Sequence, residues 1–250
     1  MLSKGIKEIT LLGQNVNSYM WEEGKKWNFA SLLEELNELQ GLLRLRFTTS
    51  HPKDLSDEVI QCFSDLNGLC PHIHLPFQAG SNEVLHRMRR GYSRERYIEL
   101  IEKLRAVRPD IAVTSDVMVG FPGETEKDFE LTMKLVKKVQ FDALFSFKYS
   151  DRKGTSAEKM GGKVTENEKT FRLSLLQGLQ KQISLKKNRD LEGKELDVLV
   201  EGESKKGGQL TGRAGCNRII NFVGNNRLIG RLVKVNIKHG SLNSLQGELL

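Results

Sequence analysis

The residues best able to bind a ligand follow five short apolar runs, each of which is typical of a β-strand. The segments after these runs are rich in Asn, Gln, Ser, Thr and Gly; they are residues 13–19, 48–52, 76–81, 120–125 and 148–152. If the strands are parallel, their carboxyl ends meet at one edge of the sheet, where such folds bind their ligands. The sequence therefore predicts one polar ligand site at that edge.

The glycine-rich turn at residues 120–125 precedes a helical pattern, and Thr125 with Asp128 resembles a capping box at the start of that helix. Such a turn can present backbone amides to a phosphate. The segment lacks the glycine spacings of a P-loop and of a dinucleotide fingerprint, so neither motif is present. We expect instead that the glycines let the chain pass close to a bound ligand.

Five arginines surround Gly91 and Tyr92; they are Arg87, Arg89, Arg90, Arg94 and Arg96. Two interpretations stay open. The cluster is either a solvated face of a helix–loop–helix or a binding site for a carboxylate or phosphate, the groups that guanidinium forks bind best.

The histidines and cysteines do not have the spacing of a metal site. His72 and His74 flank one residue of a predicted strand, and His51 is remote in sequence. Cys62, Cys70 and Cys216 are too few and too scattered for a disulfide framework. We identify no nucleophile–base pair and no metal ligand, and we assign no catalytic residue from spacing alone.

The elements that must position these residues alternate between strands and helices. The pattern predicts strands at residues 6–12, 42–48, 73–75, 111–119 and 143–147, with helices at 30–39, 56–66, 94–107 and 126–139. Strand starts 30 to 40 residues apart favour a parallel sheet with crossover helices, closed or partly closed into a barrel.

The chain changes character after Tyr149. Residues 150–162 form a connection rich in Gly, Ser and Lys, and a second capping box at Thr165 opens a basic helix that ends near Asp190. From Leu191 the hydrophobic period becomes two, with short runs at 218–223, 228–229 and 232–237. The sequence thus predicts an α/β domain at 1–162, a linker helix at 163–190 and a small antiparallel β-barrel at 191–250.

Composition and charge narrow the class of protein. The 250 residues include 28% charged side chains, and no run of about 18 apolar residues exists that would span a bilayer. Charged residues near the N-terminus stand where a signal peptide needs its apolar stretch, so we expect a cytoplasmic protein with no membrane partner.

The net charge of +7 is unevenly placed along the chain. Residues 1–162 carry 23 basic and 23 acidic side chains, whereas 163–190 carry seven and three, and 191–250 carry nine and six. The whole excess lies in the last 88 residues. This placement favours a polyanionic partner at the C-terminal end.

Four motifs in order resemble those of the radical S-adenosylmethionine (SAM) methylthiotransferases. They are LLGQNVNSY at 11–19, RFTTSHP at 46–52, HLPFQAGS at 74–81 and DVMVGFPGET at 116–125. The first motif and TTSHP favour the MiaB branch, which modifies N6-dimethylallyladenosine beside the tRNA anticodon. The C-terminal motifs at 198–202, 210–213, 217–222 and 245–248 are similar to those of a TRAM domain, a type that binds RNA.

The resemblance implies a radical-SAM partial barrel that binds S-adenosylmethionine. It places Gln14 and Asn15 near the amino-acid end of that cofactor, Gln78 and Ser81 near its ribose or carboxylate, and Arg90 at the carboxylate. It also implies an adenine wall and a substrate entrance; the wall comprises Val119, Gly120 and Phe147, and the entrance has Arg152. Together with the charge excess it implies tRNA binding by the basic residues Lys205, Lys206, Arg213, Arg218, Arg227 and Arg231.

The family also carries [4Fe-4S] clusters, held by a C-x-x-x-C-x-x-C motif and by an N-terminal domain that this sequence lacks. The resemblance therefore implies that this chain is a C-terminal fragment, a truncated gene model, or a split or degraded paralogue. The missing N-terminal half is then expected as a possible partner, in a separate chain. Three readings of function remain: tRNA methylthiolation, a non-catalytic RNA-binding remnant, and a sister enzyme acting on threonylcarbamoyl-adenosine tRNA or on a ribosomal protein.

Overall fold

The computed structural model describes residues 5–250 except Gly24, Thr49 and Lys206. Its N-terminal part alternates strands and helices. The elements are β1 Glu8–Leu11, β2 Met20–Glu23, β3 Lys25–Asn28, α1 Phe29–Asn37, β4 Arg44–Phe47, α2 Asp57–Asp65, β5 His72–His74, α3 Asn82–Arg87, α4 Arg94–Val107, β6 Ala112–Val119, α5 Glu126–Val139 and β7 Ala143–Lys148.

The five predicted strands are present and pair in parallel. β1 pairs with β4, and β5, β6 and β7 form a second group in that order. A parallel bridge between Leu45 and Leu69 lies between the two groups. This arrangement confirms the partial parallel barrel. The β2–β3 hairpin and the short helix α3 were not predicted, because neither has an extended apolar period.

The parallel strands have two unlike faces because side chains alternate along a strand. One face packs on the helices and is apolar: Leu45, Ile73, Val113 and Val117 are fully buried there. We call the opposite, concave face the lumen face. It carries Glu8, Arg44, Arg46, His72, His74, Thr114, Asp116, Met118, Phe145 and Phe147.

Two helices begin at predicted caps. At α5, Thr125 Oγ1 accepts from Asp128 N and the Asp128 carboxylate accepts from Thr125 N, so the capping box is complete. At α6 (Glu166–Arg189), Glu168 N donates to Thr165 Oγ1, but the Glu168 carboxylate binds Arg172 instead. The second box is therefore only an N-cap.

The buried face of α6 is unusually polar. Lys169, Arg172, Leu176, Gln180 and Ile183 recur at helical spacing and are buried. Arg172 binds the N-terminal domain, and near the C-terminal end Asn188 donates to the carbonyls of Ser241 and Leu242. The linker helix is thus bonded to both domains.

The C-terminal domain is a closed five-stranded barrel with an apolar core. Its strands are β8 Glu195–Glu203, β9 Leu210–Ala214, β10 Ile219–Phe222, β11 Leu232–Gly240 and β12 Leu245–Leu249, and they close in the order β10-β12-β11-β8-β9. The sequence prediction needs two corrections here. The run at 228–229 is not a strand, because Asn226–Leu228 is a 3₁₀ turn capped by Asn225, and the pair β10–β12 is parallel rather than antiparallel.

Arginines of β4 join the two domains. Arg44 donates to the carbonyls of Asp197 (2.6 Å) and Arg213 (2.5 Å), and Arg46 donates to those of Ala214 (2.7 Å) and Gly215 (2.8 Å). Both guanidinium groups are buried. We call this contact, together with the bonds of Asn188, the domain seam.

Candidate functional site

A cavity of about 410 Å³ opens at the carboxyl ends of β6 and β7. We call it the strand-end cavity. Its floor includes Phe121 and Tyr149, whose rings meet edge to face at 5.2 Å, and its rim carries several cations. The lining residues are Arg87, Met88, Arg89, Arg90, Met118, Phe121, Tyr149, Ser150, Arg152, Thr155, Ser156, Ala157 and Met160. An apolar floor with cationic edges suits a ligand that has a flat body and an anionic group.

Arg90 lines this cavity and has a buried nitrogen, Nε, without a hydrogen-bond partner in the described part of the chain. Burial and the nearby Arg90 charge both lower the pKa of His51, although Asp54 opposes them. A buried guanidinium nitrogen without an acceptor is costly, and a carboxylate is its natural partner.

The ends of β1 and β4 meet beside Arg90, as the pattern of polar strand ends predicts. Asn17 Nδ2 donates to the carbonyl of His51 (3.0 Å), and His51 N donates to Asn17 Oδ1 (2.9 Å). Asn15 Nδ2 donates to Asp54 (2.7 Å), while Asn15 Oδ1 is buried without a partner. Asn15 Oδ1 is therefore an acceptor without a partner in the described chain, whereas Gln14 is exposed to solvent.

The segment after β5 is fixed on β6. Gln78 has a φ of 63°, its N donates to the carbonyl of Asp116, and its carbonyl accepts from Met118 N. Tyr92 Oη donates to the carbonyls of Pro76 and Phe77. These bonds hold Gln78 in a backbone conformation that is uncommon for a residue with a side chain.

Several predicted cofactor residues do not present side chains to open space. Ser81 is buried and donates to Asp128 of α5, which engages its hydroxyl. Val119 lies in the hydrophobic core on the helix side of β6, since the alternation turns Met118 to the lumen face instead. Phe147 is exposed on that same face, in register with Met118.

The glycines of the turn at 120–125 lie against side chains of this chain. Gly120 and Gly123 both have positive φ, but a Cβ at Gly120 would lie 2.3 Å from Lys169 Cγ, and one at Gly123 would overlap the Arg87 guanidinium. The chain's own side chains fill the space. Gly120 N donates to Glu124 Oε2 (2.6 Å), not to an open anion site.

Glu124 was missed as an organising residue. It is buried, and its Oε2 accepts from Gly120 N and from Arg172 Nη1 (2.8 Å). Burial raises its pKa, while these two hydrogen bonds favour the ionised form. Glu124 therefore fixes the turn at 120–125 to helix α6; an acid directly after a glycine turn was the available sequence signal.

The cysteines do not fit a [4Fe-4S] cluster, which needs several thiolates converging on one point. Cys62 and Cys70 are buried, and burial raises the pKa of each thiol to about 11. Cys216 belongs to the C-terminal domain. Among the described residues, no group of three His, Cys, Asp or Glu side chains could hold a metal ion.

The predicted RNA-binding cations divide into two groups. Lys205, Arg227 and Arg231 are exposed, and no ion pair engages them within the described chain. Arg213 bonds Glu201 (2.9 Å), and Arg218 bonds Asp142 (2.5 Å) and Asn188 (2.8 Å) at the domain seam. Lys206 lies outside the described residues. Arg152 is exposed at the rim of the strand-end cavity.

Two family models match the chain. The radical SAM superfamily model matches residues 1–136, and the TRAM domain model matches residues 189–250. The first covers the partial barrel through most of α5, and the second covers the closed barrel. No helix among the described residues has the length and apolar content to cross a membrane.

Two curated relatives that resemble this chain have the same name. The chain is 55% identical to the tRNA-2-methylthio-N(6)-dimethylallyladenosine synthase of Syntrophus aciditrophicus, over 98% of this chain and 54% of that protein. It is 51% identical to the synthase of Geobacter metallireducens, over 98% of this chain and 56% of that protein. The chain therefore spans about half the length of the curated relatives it matches.

A solved structure resembles the fold. Coproporphyrinogen III oxidase from Escherichia coli, described as a radical SAM enzyme, aligns with a TM-score of 0.50 and 19% identity over 61% of this chain and 36% of that one. This likeness concerns the fold alone. With parallel strands, a polar strand-end cavity and a closed C-terminal barrel all in place, the family matches show that this chain belongs to the radical SAM superfamily and carries a TRAM domain.

Proposed function

We propose that this chain provides the S-adenosylmethionine-binding and RNA-binding parts of an enzyme that methylthiolates C2 of N6-dimethylallyladenosine in tRNA. The relatives of about 50% identity are named for that reaction, and their identity extends over both domains. The motif LLGQNVNSY at 11–19 favours this branch over the sister enzymes.

One observation carries the cofactor part of the proposal: the buried, unpartnered Nε of Arg90 beside the strand-end cavity. S-adenosylmethionine has a carboxylate for Arg90 and an adenine for the apolar floor. Asn15 Oδ1, also buried and unpartnered, can accept from an ammonium group. When bound, the cofactor supplies the one-electron chemistry of the superfamily. Arg90 and Asn15 hold and orient its amino-acid end.

Binding by this chain tests the proposal directly. We expect Arg90→Ala to weaken S-adenosylmethionine binding about ten- to 150-fold, because a charge-assisted hydrogen bond contributes about 1.5–3 kcal/mol. Titration calorimetry of the full 250-residue chain measures this. Arg96→Ala is the matched control, since Arg96 pairs with Glu99 (2.7 Å) and does not line the cavity. Equal affinities of both variants and the parent would refute the assignment.

The RNA part rests on the exposed cations of the closed barrel. Lys205, Arg227 and Arg231 are free to neutralise phosphates, and their charge excess lies in the domain matched by the TRAM model. Arg213 contributes less because Glu201 engages it. We leave Arg218 out of the proposed RNA-binding set because its guanidinium holds the domain seam.

A further inference from the structure

A second cavity of about 520 Å³ lies between the two domains. We call it the seam crevice. It is bounded by the first half of β7, the middle of α6 and the start of β10, and the residues that matter here are Phe145, Gln177, Gln180, Lys181, Arg213 and Ile219. The seam crevice borders Thr114 of β6, and the strand-end cavity borders Met118 of the same strand. These two residues are four positions, or about 13 Å, apart along β6. The two cavities are separate sites.

Gln180 has a hydrogen-bond acceptor inside the crevice that has no partner among the described residues. The side chain is only 8% exposed, and its Nε2 donates to the Phe141 carbonyl and to Ser184 Oγ, both at 2.9 Å. These bonds fix the orientation of the amide. Its Oε1 is buried and has no partner. A ligand with an N–H donor would satisfy this acceptor.

Apolar surface is left open in the same crevice. Phe145 is 55% exposed and Ile219 is 38% exposed, although each lies next to a packed core. Phe145 contacts His74 edge to face at 5.9 Å, which holds its ring. An exposed, held aromatic ring is a platform for stacking a planar base.

Cations complete the lining. Lys181 is exposed and forms no ion pair within the described chain, and the Arg213 guanidinium is shared between Glu201 and Asn217. The carboxylate of the crevice, Asp142, is already paired with Lys187 and Arg218. The free charge at the crevice is therefore positive, which favours a phosphate-bearing ligand.

We infer that the seam crevice binds one unpaired nucleotide of an RNA strand, with its base on Phe145, an N–H group on Gln180 Oε1 and its phosphate near Lys181. A volume of about 520 Å³ suits a ligand of this size. RNA is favoured over a free nucleotide because two of the three walls of the crevice, α6 and β10, belong to residues 163–250, which hold the chain's whole positive excess. The inference rests on the proposed RNA binding, but it concerns a different surface from the cations at Lys205, Arg227 and Arg231.

The test uses the full chain and a 5′-fluorescein-labelled single-stranded oligoribonucleotide of mixed sequence. We expect Phe145→Ala and Lys181→Ala each to weaken binding about five- to tenfold, since stacking and a phosphate contact have effects of this order. Phe171→Ala and Lys186→Ala are matched controls. Both residues are exposed on α6 outside the crevice, and we expect their affinities to stay within about twofold of the parent.

A photocrosslink locates the nucleotide. With 4-thiouridine in the oligonucleotide, we expect crosslinked peptides from 143–146 and 177–184, and we expect Phe145→Ala to lose the first. Parent-like binding by both crevice variants, with crosslinks elsewhere, would overturn the crevice and leave the RNA proposal intact. No binding by the parent would overturn both. Complete displacement by adenosine 5′-monophosphate would show a free-nucleotide site and overturn the RNA assignment.

Discussion

Two pairs of arginines, one in each domain, have opposite roles. In the partial barrel, Arg44 and Arg46 are each 6% exposed and donate to backbone carbonyls of the other domain. In the closed barrel the core is wholly apolar, and Arg227 and Arg231 lie in solvent. Charge is structural at Arg44 and Arg46 and available to a partner at Arg227 and Arg231. A count of basic residues therefore does not show which cations are free to bind a partner, whereas their burial and bonding do.

The largest effect on stability is expected when a structural arginine is removed. Arg46→Ala deletes donors to Ala214 and Gly215 and leaves Glu8 with one cation fewer. We expect a loss of about 3 kcal/mol in the free energy of unfolding, since buried acceptors and charge lose their partner. Urea denaturation followed by circular dichroism measures it. Arg227→Ala should change stability by no more than about 0.5 kcal/mol. Equal losses of unfolding free energy in Arg46→Ala and Arg227→Ala would contradict the contrast between these arginines.

A pair of histidines sharpens the same contrast. Burial is the main cause that lowers the pKa of His72 to about 3, whereas the side chain of His239 in the closed barrel is 58% exposed. Below pH 6.5 His72 is protonated in the unfolded chain but not in the folded chain. The free energy of unfolding therefore decreases as the pH is lowered. The expected fall is about 2 kcal/mol between pH 7 and 5.

Replacing His72 tests whether this residue causes the dependence of the unfolding free energy on pH. We expect His72→Gln to flatten the dependence of unfolding free energy on pH. Urea midpoints of the parent and of this variant at several pH values from 7 to 5 measure the change. An unchanged slope in His72→Gln would mean that His72 is not neutral in the folded chain.

The smallest expected effect concerns salt. Removing the exposed cations in the triple variant Lys205→Ala, Arg227→Ala, Arg231→Ala should lower the slope of log affinity for tRNA against log salt by about two units. Arg213→Ala with Arg218→Ala should lower it by less than one unit, because both side chains are already engaged. A salt titration by filter binding compares them. A larger effect of the second pair would place the RNA at the domain seam.

Much of the fold was predictable because it depends on local periodicity. Helices α4 and α5 begin and end at the predicted residues, and the alternation along β6 separates the core face from the lumen face. The convergence of the strand-end loops was also predictable. The roles of individual side chains were not. Arg44 bonds Arg213 across 169 positions, and Ser81 bonds Asp128 across 47, distances over which no local pattern carries information.

Helix α6 holds two anchor residues at a fixed separation of about 24 Å, because Arg172 and Asn188 are 16 residues apart. Arg172 is bonded to the turn at 120–125, and Asn188 is bonded to the C-terminal barrel. If the closed barrel binds RNA as proposed, this separation would set which nucleotide of the strand reaches the strand-end cavity. The length of a helix, rather than a base contact, would then choose the position along the RNA.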